Sequence, residues 1–209
     1  MKKRDKLCMV IGSLFLAAAL LLTGYNLHRD TSAGSSANAA FERLYPLIQG
    51  RADSAAASGD TSEKPYIPDY VLNPQMPMPE ETIDGRSYIG VLEIPSLSLQ
   101  LPVIGSWSYA ELREAPCRYA GSTYQKNMVI AGHNYSSHFG NLKNLSQGDT
   151  VIFTDVDGNR FHYRVIELET LAPDAVDDLT SGDWDLTLFT CTIGGRSRVT
   201  VRCSEVAGH

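Results

Sequence analysis

The brevity of its apolar runs limits most what this chain can fold into. From residue 88 onward they are short, rich in β-branched and aromatic side chains, and bounded by glycine, proline, asparagine and serine. Tyr88-Ile-Gly-Val-Leu-Glu-Ile-Pro95 and Leu99-Gln-Leu-Pro-Val-Ile104 read as two strands joined by Pro95-Ser-Leu-Ser98. Asn127–Ala131 is a further strand. Asp149–Thr154 and Asn159–Leu171 form a hairpin around Asp157-Gly158, where glycine supplies the positive φ of the turn. Helical signals are few. Ser108-Tyr-Ala-Glu111 is a capping-box pattern that predicts a short helix, and His138–Leu145 reads as a helical turn. Residues 172–184 read as an acidic loop. Many short strands with few helices predict a mainly β domain closed into a barrel, beginning near Ile83.

The first third of the chain is written differently. Met1-Lys-Lys-Arg-Asp-Lys6 is basic, and Leu7 to Tyr25 carries no charged residue. At 1.5 Å per residue that run spans roughly 28 Å as a helix, close to the hydrocarbon thickness of a bilayer. It predicts a transmembrane anchor, with the basic flank cytoplasmic and the rest of the chain outside. A cleaved secretory signal is the rival reading, with Ala37-Asn-Ala39 as a cleavage site, and it exports the same domain. Residues 31–64 are rich in Ala, Ser, Gly and Asp; Phe41, Leu44 and Ile48 recur at helical spacing, but Pro46 interrupts them, so only a short helix is expected. Residues 65–82 carry five prolines and read as an extended tether. The predicted division is a basic flank and anchor over 1–30, a stalk over 31–82 and a barrel over 83–209.

Composition removes some classes of function. A formal net charge of −6 does not suit a nucleic-acid partner. At 209 residues and 43% hydrophobic, the chain has room for one real core plus appendages. The four cysteines are not a disulfide framework: Cys8 lies in the apolar run, and Cys117, Cys191 and Cys203 are an odd number outside it. Spacings for zinc are missing, as are a Gly-x-Ser-x-Gly elbow and a phosphate-binding loop. Asp155-Val-Asp-Gly158-Asn echoes part of a calcium loop without its later ligand positions, and a hairpin turn accounts for it.

One stretch does point to chemistry. In Asp185-Leu-Thr-Leu-Phe-Thr-Cys191-Thr-Ile-Gly-Gly-Arg-Ser-Arg198 a strand ends at a single thiol, two glycines turn the chain, and a second strand begins at an arginine. If the strands are neighbours, Arg198 returns to Cys191. A positive charge beside a sulfur favours its nucleophilic form and can hold a developing oxyanion. His133 ends another short strand, in Asn127-Met-Val-Ile-Ala-Gly-His133-Asn, and is the expected acid and base. His138 is its only competitor: His28 is next to the apolar run, His209 is terminal, and His162 shares a solvated strand face with Arg160 and Arg164. Cys203 alternates with Val199 and Val201 on the face away from Arg198, as a core residue would. Cys117 is buried, exposed or paired with Cys203. Arg196, in the loop, competes with Arg198, and Asn134 is either an orienting residue for the imidazole or part of a turn.

Thr187-Leu-Phe-Thr-Cys191 followed by Arg198, with Gly-His133-Asn before it, resembles the signature of the sortases, cysteine transpeptidases of Gram-positive cell surfaces. The likeness covers roughly residues 83–206. It implies an eight-stranded barrel, with Cys191 as nucleophile, His133 as general acid and base, and Arg198 on the oxyanion or the substrate. Arg202 matches a second strand arginine. Thr190, Asn134 and Arg196 are expected substrate-side contacts. The implied reaction cleaves a C-terminal Leu-Pro-x-Thr-Gly-like sorting signal of an exported protein through a thioester and passes the acyl group to an amine. No cofactor is needed. The implied partners are proteins bearing such a signal, a peptidoglycan precursor or other amine acceptor, and the membrane; nucleic acid is not among them. Some relatives bind Ca²⁺ beside the active site. Asp174, Asp177, Asp178, Asp183 and Asp185 would be one half of such a site here, but Ser122–Asn127 has no acidic residue to share the ion, so no metal is expected. Pilin-polymerising sortases carry an Asp-Pro-aromatic lid motif; Pro74–Thr82 has none, which favours wall anchoring. The alternatives are pilin polymerisation, a membrane-tethered cysteine peptidase and a non-enzymatic surface barrel.

Overall fold

The computed structural model describes residues 3–57, 67–192 and 194–206, and the chain divides into two units, Met1–Ser32 and Ala33–His209. Helix α1 (Lys3–Ala57) contributes to both. In the first unit its apolar side chains from Met9 to Leu27 are exposed, and the helix holds a stretch long and apolar enough to cross a membrane.

In the second unit α1 continues through Pro46 to Ala57, which corrects the short, interrupted helix expected there. An interior proline removes one backbone hydrogen bond and costs about 3 kcal/mol. Packing offsets that cost: Ala37, Ala40, Leu44 and Ile48 recur every three or four residues on one face and are buried in the same apolar cluster as the barrel strands. Pro46 itself faces solvent. Arg51 fixes the helix further, donating to the Val156 carbonyl and pairing with Glu81, and Arg43 pairs with Asp84. These residues lie within the segment that sequence alone assigned to a stalk.

The barrel is built from β2 (Arg86–Ile94), β3 (Leu99–Ile104), β4 (Cys117–Ala120), β5 (Met128–Ala131), β6 (Thr150–Asp155), β7 (Arg160–Leu171), β8 (Leu186–Cys191) and β9 (Arg198–Val206). Their order is β2-β3-β4-β5-β8-β9-β7-β6, and β2 pairs again with β6 to close the ring of eight. A three-residue strand β1 (Glu81–Ile83) adds antiparallel to the start of β2. The pairs β3–β4 and β5–β8 are parallel and the rest antiparallel. Closure leaves the eight strands without an open edge.

The interior is apolar and closely filled, with Ile89, Leu92, Ile94, Met128, Ile130, Phe153 and Leu188 among its buried side chains. Cys117 and Cys203 are fully buried and free, and burial pushes both thiols up to about 12. At the β6–β7 turn the calcium-like run is a side-chain-capped hairpin. The Asp155 carboxylate accepts from the Asp157 and Asn159 backbone N–H groups, the Asn159 amide and the Tyr124 hydroxyl, and Gly158 takes the expected positive φ.

Candidate functional site

Strand β8 is apolar on both faces, and the faces do different work. Leu186 and Leu188 enter the main core, whereas Phe189 turns outward into a second cluster with Val129 and Ala131 of β5 and with Leu179. Cys191 shares the parity of Phe189, so it ends the strand on that outer face, and it is exposed.

Arg198 is its direct cross-strand partner, opposite Cys191 in the last pair of the β8–β9 ladder. Directly opposed residues put their side chains on the same face, about 5 Å apart at Cβ. The guanidinium carbon lies 5.7 Å from the centre of the Phe189 ring, and Nη1 is buried with no hydrogen-bond partner among the described residues. The connecting loop is closed on itself: the Thr192 N–H donates to the Ser197 carbonyl, and the Gly195 N–H to the Thr192 carbonyl. Gly194 and Gly195 both have positive φ, which a side chain would strain.

His133 arrives by another route. Strand β5 runs parallel to β8, with Ala131 level with Phe189, and the Gly132 N–H extends the ladder to the Phe189 carbonyl at 3.0 Å. His133 follows the end of β5 by two residues, at the end of the barrel where β8 finishes at Cys191. A Cβ on Gly132 would lie 2.3 Å from the Phe139 ring, so only glycine lets the chain enter this turn. His133 is half-buried, whereas its competitor His138 is 1% exposed and closed to substrate.

The remaining expected residues separate. Thr190 is 3% exposed and alternates to the opposite face of β8 from Cys191. Arg196 is exposed in the loop, and the Asn134 side-chain oxygen lies beside Gly140 within the His133 turn. The acidic loop is corrected: it contains helix α2 (Val176–Thr180), whose Leu179 packs in the outer cluster. Asp185 accepts from the Glu205 backbone N–H, and among the described residues no three acidic, His or Cys side chains form a metal-holding group.

Arg202 holds that segment down, a structural role that sequence reasoning missed. It is 3% exposed, and donates to Glu169, to the Thr187 hydroxyl and to the Asp178 and Leu179 carbonyls. The available signal was its parity with Arg198 on one strand. Above the outer cluster, Tyr119 meets Phe189 edge to face, and Trp107 meets both Tyr119 and the exposed Tyr109. An exposed thiol with a guanidinium directly opposite, beside an apolar cluster, offers a nucleophile and a fixed positive charge on one face.

A family model described as the sortase domain matches residues 92–206. Sortase A of Bacillus anthracis is 30% identical over 118 residues, 53% of this chain and 55% of that protein, so the chain spans about half the length of this curated relative. Solved sortase structures share the fold. Sortase C1 of Streptococcus agalactiae superposes with a TM-score of 0.54 at 24% identity, over 79% of this chain and 91% of that one. The sortase D5 transpeptidase of Clostridium perfringens superposes with a TM-score of 0.52 at 20% identity, over 78% of this chain and 99% of that one.

Proposed function

Because the sortase-domain match covers more than half of the chain, the chain belongs to the sortase family, and we propose that it is a membrane-anchored cysteine transpeptidase acting on C-terminal sorting signals of exported proteins. The observation that supports this reading is the direct opposition of Cys191 and Arg198 on the outer face of β8 and β9, at the end of the barrel where β5 leads into His133.

In the proposed reaction the Cys191 thiolate attacks the carbonyl carbon of the scissile amide. A C–S bond forms, and the negative charge moves to the carbonyl oxygen. Arg198 faces that oxygen or the adjacent peptide carbonyl with a donor that no described residue occupies. Collapse of the tetrahedral species breaks the C–N bond, and His133, as imidazolium, gives its proton to the leaving amine. A thioester on Cys191 remains. An acceptor amine then attacks, His133 takes its proton, and the thiolate leaves. One peptide bond is exchanged for another with no external energy source.

The apolar helix and basic flank support a single-span anchor with the flank cytoplasmic and the catalytic unit outside. Transfer to a cell-wall amine is favoured over pilin polymerisation because Pro74–Thr82 carries no Asp-Pro-aromatic lid motif. Incubating the detergent-solubilised full chain with a sorting peptide, with and without an oligoglycine or lysyl amine, and weighing the products tests the reading. Amine-dependent ligation supports transpeptidation, hydrolysis alone supports a peptidase, and an unchanged peptide contradicts both.

A further inference from the structure

The turn that carries His133 is stiff along its own length. The Phe139 N–H donates to the His133 carbonyl, and the His138 and Gly140 N–H groups both donate to the Tyr135 carbonyl. Tyr135 lies face to face with the imidazole, with centroids 3.8 Å apart and planes inclined by 9°. Beyond Ser137 the chain is sunk into the protein: His138 is 1% exposed, Phe139 is fully buried, and the Phe139 ring lies against Gly132. A push on Ser137 therefore meets close packing on that side and passes to the limb that holds Tyr135 and His133.

Helix α1 stands where such a push would come from. A Cβ on Gly34 would lie 2.9 Å from the Ser137 Cβ and 3.2 Å from its Oγ, whereas carbon atoms pack best about 3.5–4.0 Å apart. The helix is held in that place. Ala37, Ala40, Leu44 and Ile48 are buried in the core, Arg43 pairs with Asp84, and Arg51 donates to the Val156 carbonyl and pairs with Glu81. Towards its far end Ala52 meets the β6–β7 turn as tightly, since a Cβ on Gly158 would lie 2.9 Å from the Ala52 Cβ. Gly34 and Ala52 are about 27 Å apart along the helix at 1.5 Å per residue, so α1 is clamped at two distant points. Helix interiors disfavour glycine, so local propensity gives no reason for Gly34 and the closeness of Ser137 does.

We propose that Gly34 is a positioning residue for His133: residues 33–57 of α1 are a brace, and its distance from Ser137 sets where the turn and the imidazole stand. This rests on the reading of His133 as acid and base. A side chain at position 34 forces the helix and the turn apart by several tenths of an ångström. Proton transfer depends steeply on the placing of the donor, and a misplacement of about 1 Å can cost about 10²-fold in rate. Gly34 acts through Ser137 and the turn, without touching substrate, so its effect falls on the chemical step.

The test is a double-mutant cycle in the full chain, with Gly34→Ala, Ser137→Gly and the two combined, measuring kcat and KM for a sorting peptide per folded molecule. Gly34→Ala is expected to lower kcat roughly tenfold with KM within about twofold of the parent. In the Ser137→Gly background, where the opposing Cβ and Oγ are gone, the same substitution is expected to change kcat by no more than about twofold. A Gly34→Ala chain within twofold of the parent, a loss carried by KM alone, or the same loss in both backgrounds overturns the proposal. If Gly34→Ala does not fold, Ser137→Val raises the same contact from the side of the turn: a kcat lowered roughly tenfold supports the brace, and an unchanged kcat overturns it. His133→Ala separates the two readings: if it retains turnover the acid–base assignment falls, and if it is inactive while Gly34→Ala is normal only the positioning role falls.

Discussion

Cys191 and Arg198 close the β8–β9 ladder as a directly opposed pair, and the guanidinium of Arg198 leans over Phe189 on the same face as the thiol. This relationship is set by backbone register, so the charge is in place before substrate arrives.

The fork of Arg198 should therefore matter as well as its charge. Lysine at this position keeps the charge and loses the planar pair of donors. Arg198→Lys is expected to lower kcat by roughly 10²-fold, in the range of losing one oxyanion donor, with thermal stability near that of the parent. Steady-state kinetics on a sorting peptide, with a melting curve beside them, check both halves.

The three cysteines of the barrel should differ sharply in reactivity. Cys191 is exposed, whereas Cys117 and Cys203 are fully buried thiols pushed up to about 12. A group with that value remains a neutral thiol at pH 8–9, and in the folded chain it is also out of reach of reagent. Brief alkylation of the native protein at pH 8 followed by peptide mapping should label Cys191 and leave Cys117 and Cys203 unmodified; denaturant should expose all three. Native labelling of Cys203 would contradict the packing.

Residues 33–57 of α1 should behave as part of the barrel. Leu44 is fully buried, and Leu44→Ala is expected to destabilise the catalytic unit by about 2–5 kcal/mol. Pro46 is exposed inside the same helix, so Pro46→Ala should restore a backbone donor and raise stability by about 1–3 kcal/mol. Urea titration distinguishes these opposite signs from the absence of effect that a free tether would give.

Arg202 should control the order of the segment over the outer cluster. Replacing it by methionine leaves Glu169 unpaired and the Asp178 and Leu179 carbonyls without their donor. A loss of about 2–4 kcal/mol is expected. Amide hydrogen exchange should quicken over residues 172–185 while strands β2 and β3 stay protected.

The strands were legible because alternation and turn residues are local signals: the β6–β7 hairpin appears around Asp157-Gly158 as expected, and the short link from Cys191 to Arg198 made a neighbouring pair of strands natural. The place of Thr190 was also legible from alternation, since its neighbour Cys191 is the residue facing out. Other features depend on distant parts of the chain. The strand that leads into His133 lies beside β8 only through the parallel pairing of β5 with β8, a crossover for which no local pattern exists. Helix α1 passes Pro46 because Leu44 and Ile48 find a core to enter, and tertiary packing outweighs the local penalty. The Tyr135 stack follows from the backbone of a turn, and spacing alone carries no trace of it.

The most direct test of the account is the intact mass of the full chain caught during turnover of a sorting peptide. A covalent adduct of the mass of the peptide's acyl portion, mapped to Cys191, removed by an added amine and absent in Cys191→Ala, is the predicted result. Undiminished turnover in Cys191→Ala would contradict it.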